Sequence, residues 1–516
     1  MIRSFLTVSM GTLASRLLGF LRDAMIAGLL GTGPVADAFL AAFQLVNVIR
    51  RLLTEGALNA ALVPAWLKLR ETEGADAAAR FAGRVLGTVS VALAAVTLLI
   101  GVAMPLMMSA LAPGFLGHAT LQFAVDDARL MLPYLAFAGP ATVMLALASA
   151  QGRFLLTAFS PLLFNIALIA VMAALIVVRH DAATCALVLA ATVGVAGLLQ
   201  LGILVLRRDG KAAARPTVSF DAPMRGFLAR ALPAMVASAG PQLLALAGAV
   251  IASASPSAVS WLYFANRLVE LPLGIVGVAM GTVQVAELAR AVRGGEARAV
   301  TEAESRGLEL AAGLALPATL GLIVLSAPIV RLLFEHGAFT AADSSATARV
   351  LMVLALALPA HVLVKALSPA FFAREDTTAP LLATIKGIVV AIVTALLLGH
   401  FFGAAGIAAG IACGAWSNAA SLVRHGAATF GFSIDAAARR RLPRIVAAAL
   451  IMGGLLWLAE GFVPAFTHAL AQAATLAGEI AVALAVYGAL LTLFGVTSWP
   501  KAVQAIRQTR SRDLRA

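Results

Sequence analysis

The chain has 516 residues, 61% of them hydrophobic and only 12% charged, and its mean hydropathy is +0.96. Soluble chains are about 45–50% apolar and about 25% charged, so this composition excludes a soluble enzyme and a disordered scaffold. The net charge of +13 and pI near 11.0 invite a nucleic-acid reading, but aromatics are 6%, with three Tyr and five Trp, and offer no platform for stacking bases. The expected class is all-α and polytopic in a membrane, because the apolar runs are continuous rather than alternating.

About 20 apolar residues cross a bilayer. Fourteen stretches reach that length: 5–30, 36–66, 82–108, 127–150, 157–178, 184–206, 226–253, 258–289, 307–334, 346–372, 379–400, 404–427, 443–463 and 473–497. The first is interrupted by Arg16 and Arg22, unlike a cleavable signal, and is expected to stay as a span. The second and eighth are too long. As one helix, 36–66 would reach about 46 Å against a hydrocarbon core of about 30 Å. Gly56 lies inside the second, and Pro272, Gly274, Gly277 and Gly281 inside the eighth. Both read either as bent or broken helices at corresponding places, a pointer to a transport site, or as tilted helices with a cytoplasmic extension. The twelfth carries Gly406, Gly410 and Gly414 at four-residue spacing, a close-packing face. Cys185 and Cys413 stand alone in apolar runs and suggest neither a disulfide framework nor a zinc site.

Basic residues orient these spans. With the N-terminus in the cytoplasm, 26 of the 38 Lys and Arg fall on the cytoplasmic side, four (Arg129, Arg179, Arg331 and Arg349) fall outside, and eight lie within spans. That asymmetry follows the positive-inside rule and puts both termini in the cytoplasm, with basic loops beside anionic lipid. The basic loop near 207–225 divides the first twelve spans six and six. The expected organisation is an N-lobe over 1–215, a C-lobe over 216–430, and two further helices with a basic tail over 431–516.

The eight bases inside spans are Arg16, Arg22, Arg50, Arg51, Arg230, Arg267, Lys365 and Lys386. Each Arg at a helix centre costs about 2.5–3.5 kcal/mol even on the lenient insertion scale. Four fall in the first two spans, where Asp23, Asp37 and Glu55 cannot neutralise them all. A surplus of buried Arg suits a water-filled cavity that accepts an anion, and the planar guanidinium suits phosphate. Rival readings stay open. Arg50, Arg51 and Glu55 can pair or snorkel near the cytoplasmic end of their span, and Arg267 has Glu270 one turn on for an internal ion pair. Lys365, Lys386 and Arg230 fall near expected helix ends, where snorkelling is the default. The sequence has no P-loop, no GxGxxG, and no His pair at metal-binding spacing. No cofactor is expected, and transport runs on an ion gradient, the membrane potential or the substrate gradient.

The stretch Ser15-Arg16-Leu17-Leu18-Gly19-Phe20-Leu21-Arg22-Asp23 resembles the MurJ (MviN) lipid II flippase family of the MOP exporter superfamily. The likeness continues through Asp37-Ala38-Phe39, Asn47-Val48-Ile49-Arg50-Arg51-Leu52 and Glu55-Gly56-Ala57. It recurs at Asn266-Arg267-Leu268, at Gly337-Ala338-Phe339-Thr340 and around Lys365, and so covers nearly the whole chain. The resemblance implies fourteen helices in two six-helix lobes around a cationic cavity, plus a C-terminal pair forming a groove for a lipid tail. It implies movement of the undecaprenyl-diphosphate-linked peptidoglycan precursor across the bacterial cytoplasmic membrane. By the same resemblance Arg16, Arg22, Arg50 and Arg267 contact the diphosphate. Asp23, Asp37, Arg51, Glu55, Asn266 and Glu270 line or gate the cavity. The family usually has Pro where Val46 stands and Asp where Asn266 stands. No acid lies in 226–265 or 379–400, so no cation site is carried over.

Two other functions compete: a MATE-like exporter of small molecules, and a non-transporting scaffold that recruits wall-synthesis enzymes. An exporter of organic cations calls for acids in the cavity, not a surplus of arginine.

Overall fold

The computed structural model describes residues 2–54, 57–206, 214–237, 240–294, 297–372, 374, 376–462 and 468–496. Among them every regular element is helical. The chain forms two compact units. The first runs through Phe264 and includes Phe334–Asp343; the second comprises Ala265–Leu333 and the chain from Ser344 onward.

The first unit contains α1 (Ile2–Leu30), α2 (Pro34–Thr54), α3 (Ala57–Thr72), α4 (Ala75–Leu111), α5 (Ala119–Met131), α6 (Pro133–Ala150), α7 (Phe154–Val178), α8 (Ala182–Leu206), α9 (Ala222–Ala237) and α10 (Gly240–Ala252). A 3-10 turn, Pro113–Phe115, joins α4 to α5. α11 (Ala258–Gly294) starts in the first unit and continues into the second. The second unit adds α12 (Ala297–Val324), α13 (Ser326–Phe334), α14 (Ala341–Ala355), α15 (Leu358–Phe372), α16 (Thr378–Phe430), α17 (Ala436–Glu460) and α18 (Ala469–Leu493). Among the described residues nine stretches are long and apolar enough to cross a membrane, by length and composition. The protein is therefore an all-α, multi-pass membrane protein.

Apolar run and helix do not coincide one to one, and the breaks have local causes. Proline at 133 lacks an N–H and its ring clashes with the preceding turn, so 119–150 divides into α5 and α6. The run 341–372 divides at Leu356 and Ala357, just before Pro359. Gly403, at φ 55° and ψ −136°, reverses the chain inside α16 in a conformation that a Cβ disfavours. The two arms of α16 then run antiparallel along the glycine stripe. A Cβ on Gly410 would stand 2.4 Å from the Ala395 nitrogen, and one on Gly414 would stand 2.6 Å from the Gly387 carbonyl oxygen. Of the two overlong stretches, the first is described as α2 and α3, and Glu55 and Gly56 between them lie outside the described residues. The second is one unbroken helix, α11, with Pro272 inside it. α2 likewise passes unbroken through Val46, which is buried. Asp181 caps α8: the Thr184 hydroxyl donates to it at 2.7 Å and the Thr184 N–H at 3.1 Å, which holds its carboxyl below the ordinary range.

The chain leading into α9 lies along α4 as an extended strap. The Ala214 N–H donates to the Ala79 carbonyl (2.8 Å) and the Thr217 N–H to the Gly83 carbonyl (3.2 Å). Gly83 and Gly87 make the groove, since a Cβ on Gly87 would sit 2.5 Å from the Thr217 backbone. Arg84 pairs with Asp221 at 2.5 Å, and Asp221 accepts the Met224 N–H at 3.1 Å in the first turn of α9.

Candidate functional site

α1 presents Arg16 and Arg22 in different surroundings. Six residues on a helix make about one and two-thirds turns, so the two side chains point about 120° apart and do not share a face. Arg22 is buried within a network. Its Nε and Nη2 donate to Asp23 Oδ1 at 2.9 and 2.6 Å, and its Nη1 donates to Asn165 Oδ1 on α7 at 2.9 Å. The guanidinium also lies 5.1 Å from the Phe43 ring centre and 5.8 Å from that of Phe164, within cation–π range. The Tyr263 hydroxyl donates to Asp23 at 3.2 Å, and Asn165 Nδ2 donates to the Ser15 carbonyl at 3.2 Å. Arg16 is exposed, with no hydrogen-bond or ion-pair partner given by any contact among the described residues.

Asp37, in the first turn of α2, does not answer an arginine. It is buried, and its Oδ1 accepts the backbone N–H of Ser260 at 2.9 Å and the Ser260 hydroxyl at 2.5 Å. Ser260 lies in the first turn of α11, where unpaired N–H groups favour a carboxylate. Arg50 and Arg51 are half-buried near the other end of α2. Arg50 Nε donates to Asn47 at 3.2 Å, and the Tyr134 hydroxyl is also hydrogen-bonded to Arg50. Glu55 lies outside the described residues. Of the three acids counted against four arginines, Asp23 is the one seen to pair, and Asp37 is engaged elsewhere.

Near Asp37 the segment 334–343 is clasped to the turn between α1 and α2. The Ala338 N–H donates to the Gly28 carbonyl at 2.8 Å, and Gly337, at φ +60°, allows this approach, because a Cβ there would sit 2.3 Å from that oxygen. Asp343 fastens the far side, accepting from the Thr32 hydroxyl at 2.5 Å and the Thr340 hydroxyl at 2.7 Å, with Trp261 Nε1 at 3.5 Å.

In the second unit Asn266, Arg267 and Glu270 form one cluster on α11. Arg267 Nη1 donates to Glu270 Oε2 at 2.9 Å, and Asn266 Nδ2 donates to Glu270 Oε1 at 3.3 Å. The internal ion pair foreseen as a rival reading is therefore formed. Lys365 differs from expectation: it is exposed in the middle of α15, not at a helix end, and its Nζ approaches Gly277. The side chain of Arg230 lies outside the described residues. Sequence reasoning missed Asn165, Tyr263 and the two Phe rings. Asn165 alone carried a signal, as a polar residue in a long apolar run.

The family described as "Lipid II flippase MurJ" matches residues 26–474. The chain is 39% identical over 512 residues to a probable lipid II flippase MurJ of Rhizobium meliloti (strain 1021), covering 96% of this chain and 94% of the relative. It is 35% identical over 506 residues to the corresponding protein of Rhizobium tropici, again covering 96% and 94%. Among solved structures, a lipid II flippase MurJ in an inward closed conformation superposes with TM-score 0.78 at 21% identity, covering 95% of this chain and 98% of that one. An inward-facing MATE transporter of the MOP superfamily gives TM-score 0.65 at 14% identity, covering 86% and 98%. The structures speak for the fold and the sequences for the family: the chain belongs to the lipid II flippase MurJ family, and it is a transporter rather than an enzyme.

Proposed function

We propose that this protein carries lipid II, the undecaprenyl-diphosphate-linked peptidoglycan precursor, from the cytoplasmic to the outer face of the bacterial inner membrane by alternating access. The observation that carries the site reading is the separation of Arg16 from every acid among the described residues while Asp37 is engaged by Ser260. A cation left so is available to an anion. Arg16 and Arg50 are the leading diphosphate contacts on the first unit, and Arg267 is the contact on the second. Arg22 contributes as a structural group, paired with Asp23 on α1 and bonded to Asn165 on α7. Asp37, the clasp at Asp343, Arg51 and Glu55 set the gating, and Asn266 and Glu270 tune Arg267.

The proposed architecture has fourteen spans: lobes over 1–215 and 216–430, with 431–516 adding two helices for the lipid tail. Both termini are cytoplasmic, and the basic loops lie on anionic lipid. Wall-synthesis enzymes are a further partner. The likeness to MATE transporters concerns the fold alone. Complementation of a flippase-depleted strain tests the function: growth restored by the wild type and lost with Arg16→Ala at equal abundance is expected. Failure of the wild type to restore growth would favour the scaffold reading.

A further inference from the structure

Asp127 belongs to none of the groups above. It lies on α5 and is 1% exposed. Neither carboxylate oxygen has a hydrogen-bond partner among the described residues. Its own helix face is otherwise mostly apolar, with Ala124, Val125, Ala128 and Met131 buried alongside it and the Thr120 hydroxyl two turns away.

The elements packed on α5 bring no counter-charge. These are α2, α4, α6, α8 and the Pro113–Phe115 turn. α8 and the turn carry no charged residue; the one titratable group there is Cys185, whose thiol faces the His180 carbonyl. α6 offers Tyr134, which is bonded to Arg50. On α2, Asp37 is held by Ser260, and Arg50 and Arg51 lie near the opposite end. On α4, Asp76, Arg80 and Arg84 lie at the N-terminal end, whereas α5 meets α4 near Gly101, whose carbonyl accepts from Arg129 at 3.2 Å. On α5 itself Arg129 is exposed, and Asp126 accepts from Gln122 at 3.0 Å.

An ionised carboxylate in such a place has no donor and no partner, and burying it costs far more than burying the neutral acid. A hard metal ion wants six or more oxygen ligands. This face supplies one carboxylate among apolar side chains, and no cluster of three His, Cys, Asp or Glu occurs among the described residues. A proton needs a single oxygen. We propose that Asp127 is a proton-binding site of the transport cycle. The acid holds its proton while enclosed by α2, α4 and α8. When these helices part, the O–H bond breaks, the proton passes to water, and a carboxylate remains. Re-enclosure takes a proton back from the same water. The site itself rests on the geometry of the first unit; its place in a cycle rests on the flippase reading.

Infrared spectroscopy of the full-length protein in lipid bilayers reads the carbonyl stretch of a protonated carboxyl. A band present at neutral pH in the wild type and missing in Asp127→Asn is expected. Asp127→Ser makes the same assignment where the Asn variant does not fold. A wild-type spectrum without a protonated-carboxyl band, or with one that both variants retain, overturns the proposal whether or not lipid II moves. In a second arm, flipping of labelled lipid II by the reconstituted protein is followed from about pH 5 to about pH 9, the range in which desolvated carboxyls titrate. The wild-type rate should change several-fold and the Asp127→Asn rate should stay flat. An identical pH profile in both overturns the role in the cycle. Absence of flipping by the wild type at every pH counts against the flippase reading and leaves the infrared result standing.

Discussion

At the scale of single residues, two arginines six positions apart carry opposite expectations. Arg22 and Asp23 form a buried pair, and removing one partner of such a pair costs about 3–5 kcal/mol because the other charge is stranded. Asp23→Asn should therefore lower the melting temperature and the membrane abundance, and adding Arg22→Met should recover most of both. Arg16→Ala should leave abundance and melting temperature unchanged while reducing lipid II flipping at least tenfold. A matching loss of abundance in Arg16→Ala would remove it from the substrate site. At Asn266 the structure favours a modest role, since Glu270 already serves Arg267. Asn266→Asp replaces the Asn266–Glu270 hydrogen bond with two facing carboxylates, so it should lower the melting temperature slightly, and Glu270→Gln should affect flipping more. The adjacency of Arg22 and Asp23 was legible in the sequence. The role of Asn165 was not, because it lies 143 positions away from Arg22 and pairs through tertiary packing. Asp37 was legible as an acid in the right span, yet its partner is a helix N-terminus, which charge counting does not register.

Among the elements, the strap on α4 is the contact most easily tested by one small side chain. Gly87→Ala places a methyl 2.5 Å from the Thr217 backbone, and because a Cβ is fixed by its own main chain no rotamer relieves the clash. The strap should lift, and elastase should cut after Val218 several-fold faster than in the wild type. Gly202→Ala on α8, where a Cβ meets nothing within 4 Å, is the control and should leave the cleavage rate unchanged. Losing only the half-exposed Arg84–Asp221 pair should matter less, at about 1 kcal/mol or below, so Arg84→Gln should leave the strap seated. Helical class and most apolar stretches could be read from hydropathy, because a membrane span announces itself by length. The break at Leu356–Ala357 could not. A run of apolar residues reads the same whether one helix or two lie along it. The glycine stripe at 406, 410 and 414 was legible, since small residues at four-residue spacing have a packing use in any helix pair.

For the molecule as a whole, the charge asymmetry predicts which loops face which side. With other cysteines removed, Ala213→Cys should resist a membrane-impermeant thiol reagent in intact cells, and Pro256→Cys should react. The reverse pattern would invert the topology. Class and family were within reach of the sequence, since each depends on sums over many residues. A polypeptide cut in the basic stretch 207–213 looks like two tidy halves on a gene map. The folded units are apportioned otherwise, because 214–264 and 334–343 belong to the first unit although they lie beyond the cut. The N-terminal fragment alone is missing α9, α10, the strap and the clasp. The C-terminal fragment alone carries those pieces with nothing to dock them on. Neither half should accumulate when expressed singly, yet the two produced together from separate genes should find each other and restore growth.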